Sequence, residues 1–175
     1  MAHRKWTILP LVYLFLLALV ASPLQAEPLA NATRIAPNWT LTDDNGNEIN
    51  FYDDADGQPT VLLFWATWCP YCRALMPHLE KVRQDYFDRG VVFYALNIWE
   101  DADPIAYNKE KKLGFRLMLD ADEIAKAYGI KGTPGLLAVD GERNIIYARK
   151  SGSSPQQVET ELTEMLEKLL KSTDA

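Results

Sequence analysis

Apolar positions change their period along the chain, and the changes mark its elements. Residues 8–21 are an almost unbroken apolar run, preceded by His3, Arg4 and Lys5 and followed by Pro23 and Leu24-Gln25-Ala26. A basic start, a short apolar stretch and a small-residue close predict a secretory signal peptide over residues 1–26. A helix of these 14 residues spans ~21 Å at ~1.5 Å per residue, short of a ~30 Å hydrocarbon core. Left uncleaved, the same run would anchor the chain to a membrane through residues 8–21. Residues 27–36 read as a Pro/Ala/Asn tether, and residues 37–172 as one domain.

Within that domain, Trp39-Thr40-Leu41 and Glu48-Ile49-Asn50-Phe51 read as two short strands joined by the turn residues Asp43-Asp44-Asn45-Gly46-Asn47. Asp53 to Pro59 reads as a second polar turn. Thr60 to Ala66 and Val91 to Ile98 are continuous apolar runs, the pattern of strands covered on both faces. Between them, Leu75, Leu79, Val82 and Tyr86 recur at helical spacing over Arg73 to Arg89, with Pro77 expected to kink the helix and Gly90 to end it. Asp103-Pro104 opens another helix, and Asp120 to Glu123 resembles a capping box before a short one. Leu136 to Val139 and Asn144 to Arg149 pair around Asp140-Gly141. Ser154-Pro155 starts a final helix with the stripe Val158, Leu162, Met165, Leu166 and Leu169. Strand–helix–strand followed by a hairpin predicts an α/β fold with a mixed sheet.

Composition narrows the chemistry. With 48% hydrophobic and 24% charged residues the chain is an ordinary globular one, and two cysteines exclude a disulfide-dense scaffold. Its 24 acidic residues exceed its 18 lysines and arginines. Without a basic block, nucleic acid is a poor partner.

The cysteines stand in Trp68-Cys69-Pro70-Tyr71-Cys72, between a buried strand and the first turn of a helix. Free N–H groups and the helix dipole there favour a thiolate, the nucleophile of disulfide exchange. Cys69 comes first and is the expected attacking sulfur; Cys72, one turn inside, is the expected resolving sulfur. A merely stabilising bridge is the blander reading, but so small a loop constrains the unfolded chain little. A zinc site would need four ligands, which these cysteines and His78 do not supply. Soft ligands suit Cu(I), so a copper-binding chaperone using Cys69, Cys72, Met76 and His78 is the alternative from another functional class. Met76 and His78 lie four and six residues past Cys72, on different helix faces. Trp68 is expected to shield the sulfurs, Trp65 to be core, His78 to be solvated, and Glu80, Lys81, Arg83 and Asp85 to form a solvated helix face.

In these motifs the chain resembles the thioredoxin superfamily, and within it the exported TlpA/ResA/CcmG-like thiol–disulfide oxidoreductases. The likeness rests on Phe64 to Arg73, on Pro77, on Gly132-Thr133-Pro134 before a strand, and on Ala36 to Leu41 with its hairpin. It implies a thioredoxin-like fold with an N-terminal β-hairpin extension and a cis Thr133–Pro134 bond facing the disulfide. It also implies a client segment pairing beside Thr133, with Trp68, Pro70 and Tyr71 supporting the site. Two positions depart from the family: Leu63 and Leu75 stand where its acidic proton acceptors usually lie. Glu100, past the second buried strand, is then the first candidate acceptor for the Cys72 proton, and Asp101 the second.

The expected activity is reduction of disulfides in exported client proteins, such as those of cytochrome c or copper-centre maturation, with a membrane thiol donor restoring the dithiol. An oxidant role in the periplasm is the runner-up. No cofactor or metal is expected beyond the redox-active Cys69–Cys72 pair. Localisation is expected to be periplasmic or otherwise exported.

Overall fold

A computed structural model describes residues 34–173. The expected signal peptide lies outside the described residues. Thr40–Thr42 (β1) and Glu48–Asn50 (β2) form the antiparallel hairpin, with Leu41 opposite Ile49. Its turn is held by Asp43, whose carboxylate accepts from the N–H groups of Asn45 and Asn47.

The expected strand through Phe51 and the polar turn after it need correction. Asn50 caps a short helix, Phe51–Ala55 (α1), by accepting from the N–H groups of Tyr52 and Asp53. The cap and the acidic first turn, Asp53 and Asp54, outweigh the apolar alternation that suggested a longer strand.

Thr60–Trp65 (β3) is the centre of a five-stranded mixed sheet. It pairs in parallel with Val92–Asn97 (β4), which pairs in parallel with Arg116–Met118 (β5). On its other side it is antiparallel to Gly135–Val139 (β6), which pairs with Ile145–Ala148 (β7). The strand order is β5-β4-β3-β6-β7.

Alternation along β3 divides the core. Val61, Leu63 and Trp65 face a cluster with Leu75, Leu79 and Val82 of the helix Pro70–Tyr86 (α2) and with Val158, Leu162 and Leu166 of the helix Pro155–Thr173 (α5). Leu62 and Phe64 face the opposite cluster, with Trp39, Phe51, Tyr94 and Tyr128. There Trp39 stacks on Phe51 with ring centroids 5.1 Å apart and meets Tyr94 edge-on. The hairpin extension is therefore part of the core. Ahead of it, Ile35 bridges Asn144 and the buried Ala36 donates its N–H to the Arg143 carbonyl, so packed structure reaches into the expected tether.

Three helix starts are informative. At α5, the Ser154 hydroxyl accepts from the Gln157 N–H while the Gln157 side chain accepts from the Ser154 N–H, a reciprocal cap. At Asp122–Ala127 (α4), the expected capping box is not formed: Ala121 is the capping residue and makes no side-chain bond. Asp122 instead accepts from the Trp99 N–H at 3.2 Å. Pro104–Lys111 (α3) begins as expected, with Asp103 accepting from the Ala106 N–H.

The charged face of α2 is not merely solvated. Glu80 holds Arg83 through two nitrogens and also accepts from the Gly114 N–H at 2.9 Å, tying α2 to the loop before β5. His78, expected in solvent, meets Glu159 of α5 at 2.5 Å, and Lys81 joins the same carboxylate. Sequence periodicity marks these positions as outward-facing; the neighbouring helix and loop that cover them come from distant parts of the chain.

Candidate active site

Strand β3 ends at Trp65, and the next four residues carry the chain to the first turn of α2. Cys69 is its N-cap, with an extended backbone, and Pro70 takes the first helical position, where a missing N–H costs nothing. Cys69 and Cys72 form a disulfide with Cα atoms 5.3 Å apart. The Cys72 N–H points at the Cys69 sulfur at 3.0 Å. Once the bond is reduced, this donor and the positive end of a 17-residue helix favour negative charge on Cys69.

Both sulfurs sit against the core. Cys72 is fully buried and Cys69 is 2% exposed. They share the cluster of Leu63, Trp65, Leu75 and Met76. Leu63 and Leu75 are buried there, so aliphatic carbon fills the two positions at which the family resemblance led one to look for an acid. Of the further ligands in the copper alternative, Met76 shares the buried cluster of both sulfurs, whereas His78 is engaged by Glu159 of α5. Among the described residues no cluster of three His, Cys, Asp or Glu side chains is placed to hold a metal ion.

Exposed aromatic side chains belong to the segments next to the buried sulfurs. Trp68 is 45% exposed, Tyr71 72% and Trp99 37%. The Trp68 ring N–H donates to the Trp99 carbonyl at 2.6 Å. Trp99 has a φ of 53°, in the left-handed region that disfavours a bulky side chain. Its carbonyl bond to Trp68 and its N–H bond to Asp122 hold it there. Trp99 was not among the sequence candidates. Its signal was available: it follows the C-terminal end of a parallel strand, where the loops of open α/β sheets build their sites.

The Thr133–Pro134 bond is cis, as the resemblance implied. Pro134 and Thr133 line one groove with Tyr71, which places this loop beside the start of α2.

Glu100 has a different position from that of a free base. One carboxylate oxygen accepts from the Thr67 N–H at 2.9 Å and the Asn97 amide at 2.7 Å. The other accepts from the Thr67 hydroxyl at 2.6 Å and from the N–H groups of Asp101 and Ala102. Burial raises its pKa, but the bonds from Thr67 and Asn97 outweigh that and hold it below the usual carboxylate value. A proton acceptor for a buried thiol needs a raised pKa and a free lone pair; Glu100 has donors on every side. Its place is that of a clamp between the loop before Cys69 and the loop after β4. The sequence shows only an acid past a strand and cannot show five donors meeting it.

Comparisons with known proteins agree with this geometry. The model of the AhpC/TSA family matches residues 32–148. The thiol-disulfide oxidoreductase ResA of Halalkalibacterium halodurans is 31% identical over 133 residues, covering 75% of each chain. ResA of Bacillus subtilis is 28% identical over 113 residues, 63% of each chain. Among solved structures, the thioredoxin domain of a thiol-disulfide oxidoreductase from Bacteroides vulgatus superposes with a TM-score of 0.65 at 24% identity, covering 77% of this chain and 97% of that one. A putative thiol:disulfide interchange protein DsbE from Chlorobium tepidum has a TM-score of 0.67 at 21% identity, covering 79% and 96%. These structural likenesses establish the thioredoxin-like fold.

Proposed function

The chain belongs to the AhpC/TSA family of thioredoxin-like proteins and is a thiol–disulfide oxidoreductase, and from that premise we propose that it works outside the cytoplasm, reducing disulfides of exported client proteins. The observation that carries the assignment of roles is the Cys72 N–H donating to the Cys69 sulfur. A sulfur that receives a backbone donor at a helix start is the one stabilised as thiolate.

In the cycle, the Cys69 thiolate attacks one sulfur of a client disulfide. The client S–S bond breaks, a mixed disulfide forms, and the second client sulfur leaves as a thiolate that takes a proton. Cys72 then loses its proton and attacks the Cys69 sulfur. This expels the client sulfur that had been bonded to Cys69 as a thiolate, which takes a proton, and closes the Cys69–Cys72 bond. The client gains two electrons and the protein loses two. A membrane thiol donor returns them through the reverse exchange. The dithiol is itself the electron carrier, so no bound cofactor enters the cycle.

Export is supported by the basic–apolar–small-residue pattern of residues 1–26. No helix among the described residues is long and apolar enough to cross a membrane. Clients of the kind the resemblance implies are apocytochrome c thiols and copper-centre cysteines.

The test is trapping. Cys72→Ser is expected to accumulate mixed disulfides with exported proteins, and Cys69→Ser to accumulate few; equal trapping would overturn the roles. The Cys69 thiol is expected to alkylate with a pKa below the ~8.5 of a free thiol. The reduction potential decides direction: a value near about −270 mV makes the protein a reductant, one near about −120 mV an oxidant.

A further inference from the structure

Two grooves flank the cis-proline loop, with volumes of about 470 and about 490 Å³. They share Thr133, Pro134, Arg149 and Ser151, and Tyr71 lines the larger. The smaller also carries Arg34 and Lys131. Among the described residues, no aspartate or glutamate lines either groove. This stands against the composition of the whole chain, which has 24 acidic residues to 18 basic ones.

None of these three cations is neutralised by a carboxylate among the described residues; every ion pair engages other bases. Arg34 spends its guanidinium on the carbonyls of Ala127 and Tyr128. Arg149 donates to the carbonyls of Pro134, at 3.4 Å, and Ser153, at 3.1 Å, while its buried Nε has no partner among the described residues. Carbonyls orient the Arg149 head group but leave its charge uncompensated. Lys131 is exposed, and among the described residues no hydrogen bond or ion pair engages its side chain.

We infer that these grooves recognise an acidic client segment, one carrying aspartate or glutamate within a few residues of the cysteine presented to Cys69. The inference rests on the thiol-exchange reading and specifies which clients it favours. A guanidinium matches a carboxylate through parallel N–H bonds, and such charge-assisted bonds are the stronger ones. Arg149 is the anchor because it lines both grooves and touches the Pro134 carbonyl. Lys131 supplies longer-range attraction on the same loop. The protein's net charge of −6 acts in the opposite sense and by itself would favour a basic client, so a preference for acidic segments must come from a local feature.

Two disulfide-bonded peptides, identical except for aspartates or lysines flanking the cysteine, test this with the reduced full-length chain. The aspartate peptide is expected to react about tenfold faster, the size of effect that one hydrogen bond to a charged group supplies. The preference should shrink as salt rises past ~0.1 M, where the Debye length is ~10 Å. Lys131→Glu, on an exposed unpaired side chain, should narrow or reverse it. Arg149→Gln should remove most of it. Equal rates on the two peptides in the wild type, or an unchanged preference in both variants, would overturn the inference while leaving thiol exchange intact. Reaction with neither peptide would overturn the exchange reading and this one together.

Discussion

The carboxylate of Glu100 holds Thr67 twice, taking its backbone N–H at 2.9 Å and its hydroxyl at 2.6 Å. Thr67 lies two residues before Cys69, and Glu100 lies on the loop after β4, so this one side chain sets the approach of the active-site segment against the neighbouring strand. The Trp68–Trp99 bond runs in parallel with it. The two contacts make the loop a braced support for the disulfide.

Glu100→Gln is expected to lower stability at pH 7 by about 1–3 kcal/mol, because an amide nitrogen replaces one of the oxygens that Thr67, Asn97, Asp101 and Ala102 share. The folded-state pKa of Glu100 is lowered. Its contribution is therefore fully present above the ordinary carboxylate pKa and disappears as pH falls through the folded value. Urea midpoints of the two proteins should converge in acid; a gap independent of pH would refute the clamp. The resolving step in the variant should slow without moving its pH midpoint. A moved midpoint would restore Glu100 as the proton acceptor.

Trp68→Phe keeps an aromatic surface and deletes the donor to Trp99. Since Trp68 is partly exposed, stability should change by less than about 1 kcal/mol. The effect should fall on client binding, with KM rising about fivefold and kcat little changed, as for a contact residue of an interface. Unaltered steady-state kinetics on a folded client would show that the Trp68–Trp99 brace has no part in recognition.

Leu63→Asp places a carboxyl in the core cluster that contains both sulfurs. Burial should raise its pKa, so it enters folding as a neutral acid only at low pH. Stability should fall by about 2–4 kcal/mol at neutral pH, with the deficit growing as pH rises above ~3.9 and shrinking in acid. The same group should accept the Cys72 proton and speed resolution of the mixed disulfide near neutrality. Stopped-flow resolution rates identical to the wild type across pH would argue against any proton-transfer limit at Cys72.

Gly141→Ala tests a close approach remote from the site. A Cβ there would lie 2.4 Å from the Gly57 carbonyl oxygen, so backbone must move. A loss of about 1–3 kcal/mol is expected from the urea midpoint. Gly132→Ala, where a Cβ would meet nothing within 4 Å, is the matched control and should change stability by less than about 0.5 kcal/mol.

Local chemistry carried much of this protein in the sequence alone. Continuous apolar runs at Thr60–Ala66 and Val91–Ile98 can lie only where both faces are covered, and they became the two central parallel strands. Cysteines three apart between such a strand and a helical period meet at the helix start, because the backbone there brings residues one turn apart together. Turn residues placed the two hairpins. What the tertiary structure decided depends on groups distant in sequence. Phe51 opens a short helix that strand-like alternation concealed, and there it stacks on Trp39 from beyond the hairpin. Asp122 leaves its own helix start for Trp99, and Glu100 takes the N–H and hydroxyl of Thr67 from the loop before Cys69. His78 and Glu80 look solvated until α5 and the Gly114 loop cover them. Arg149 and Lys131 are ordinary surface cations in the sequence, and only the fold gathers them around Pro134. A periodicity records which face of an element is apolar; it does not record which partner the polar face will meet, because that partner is chosen by long-range packing.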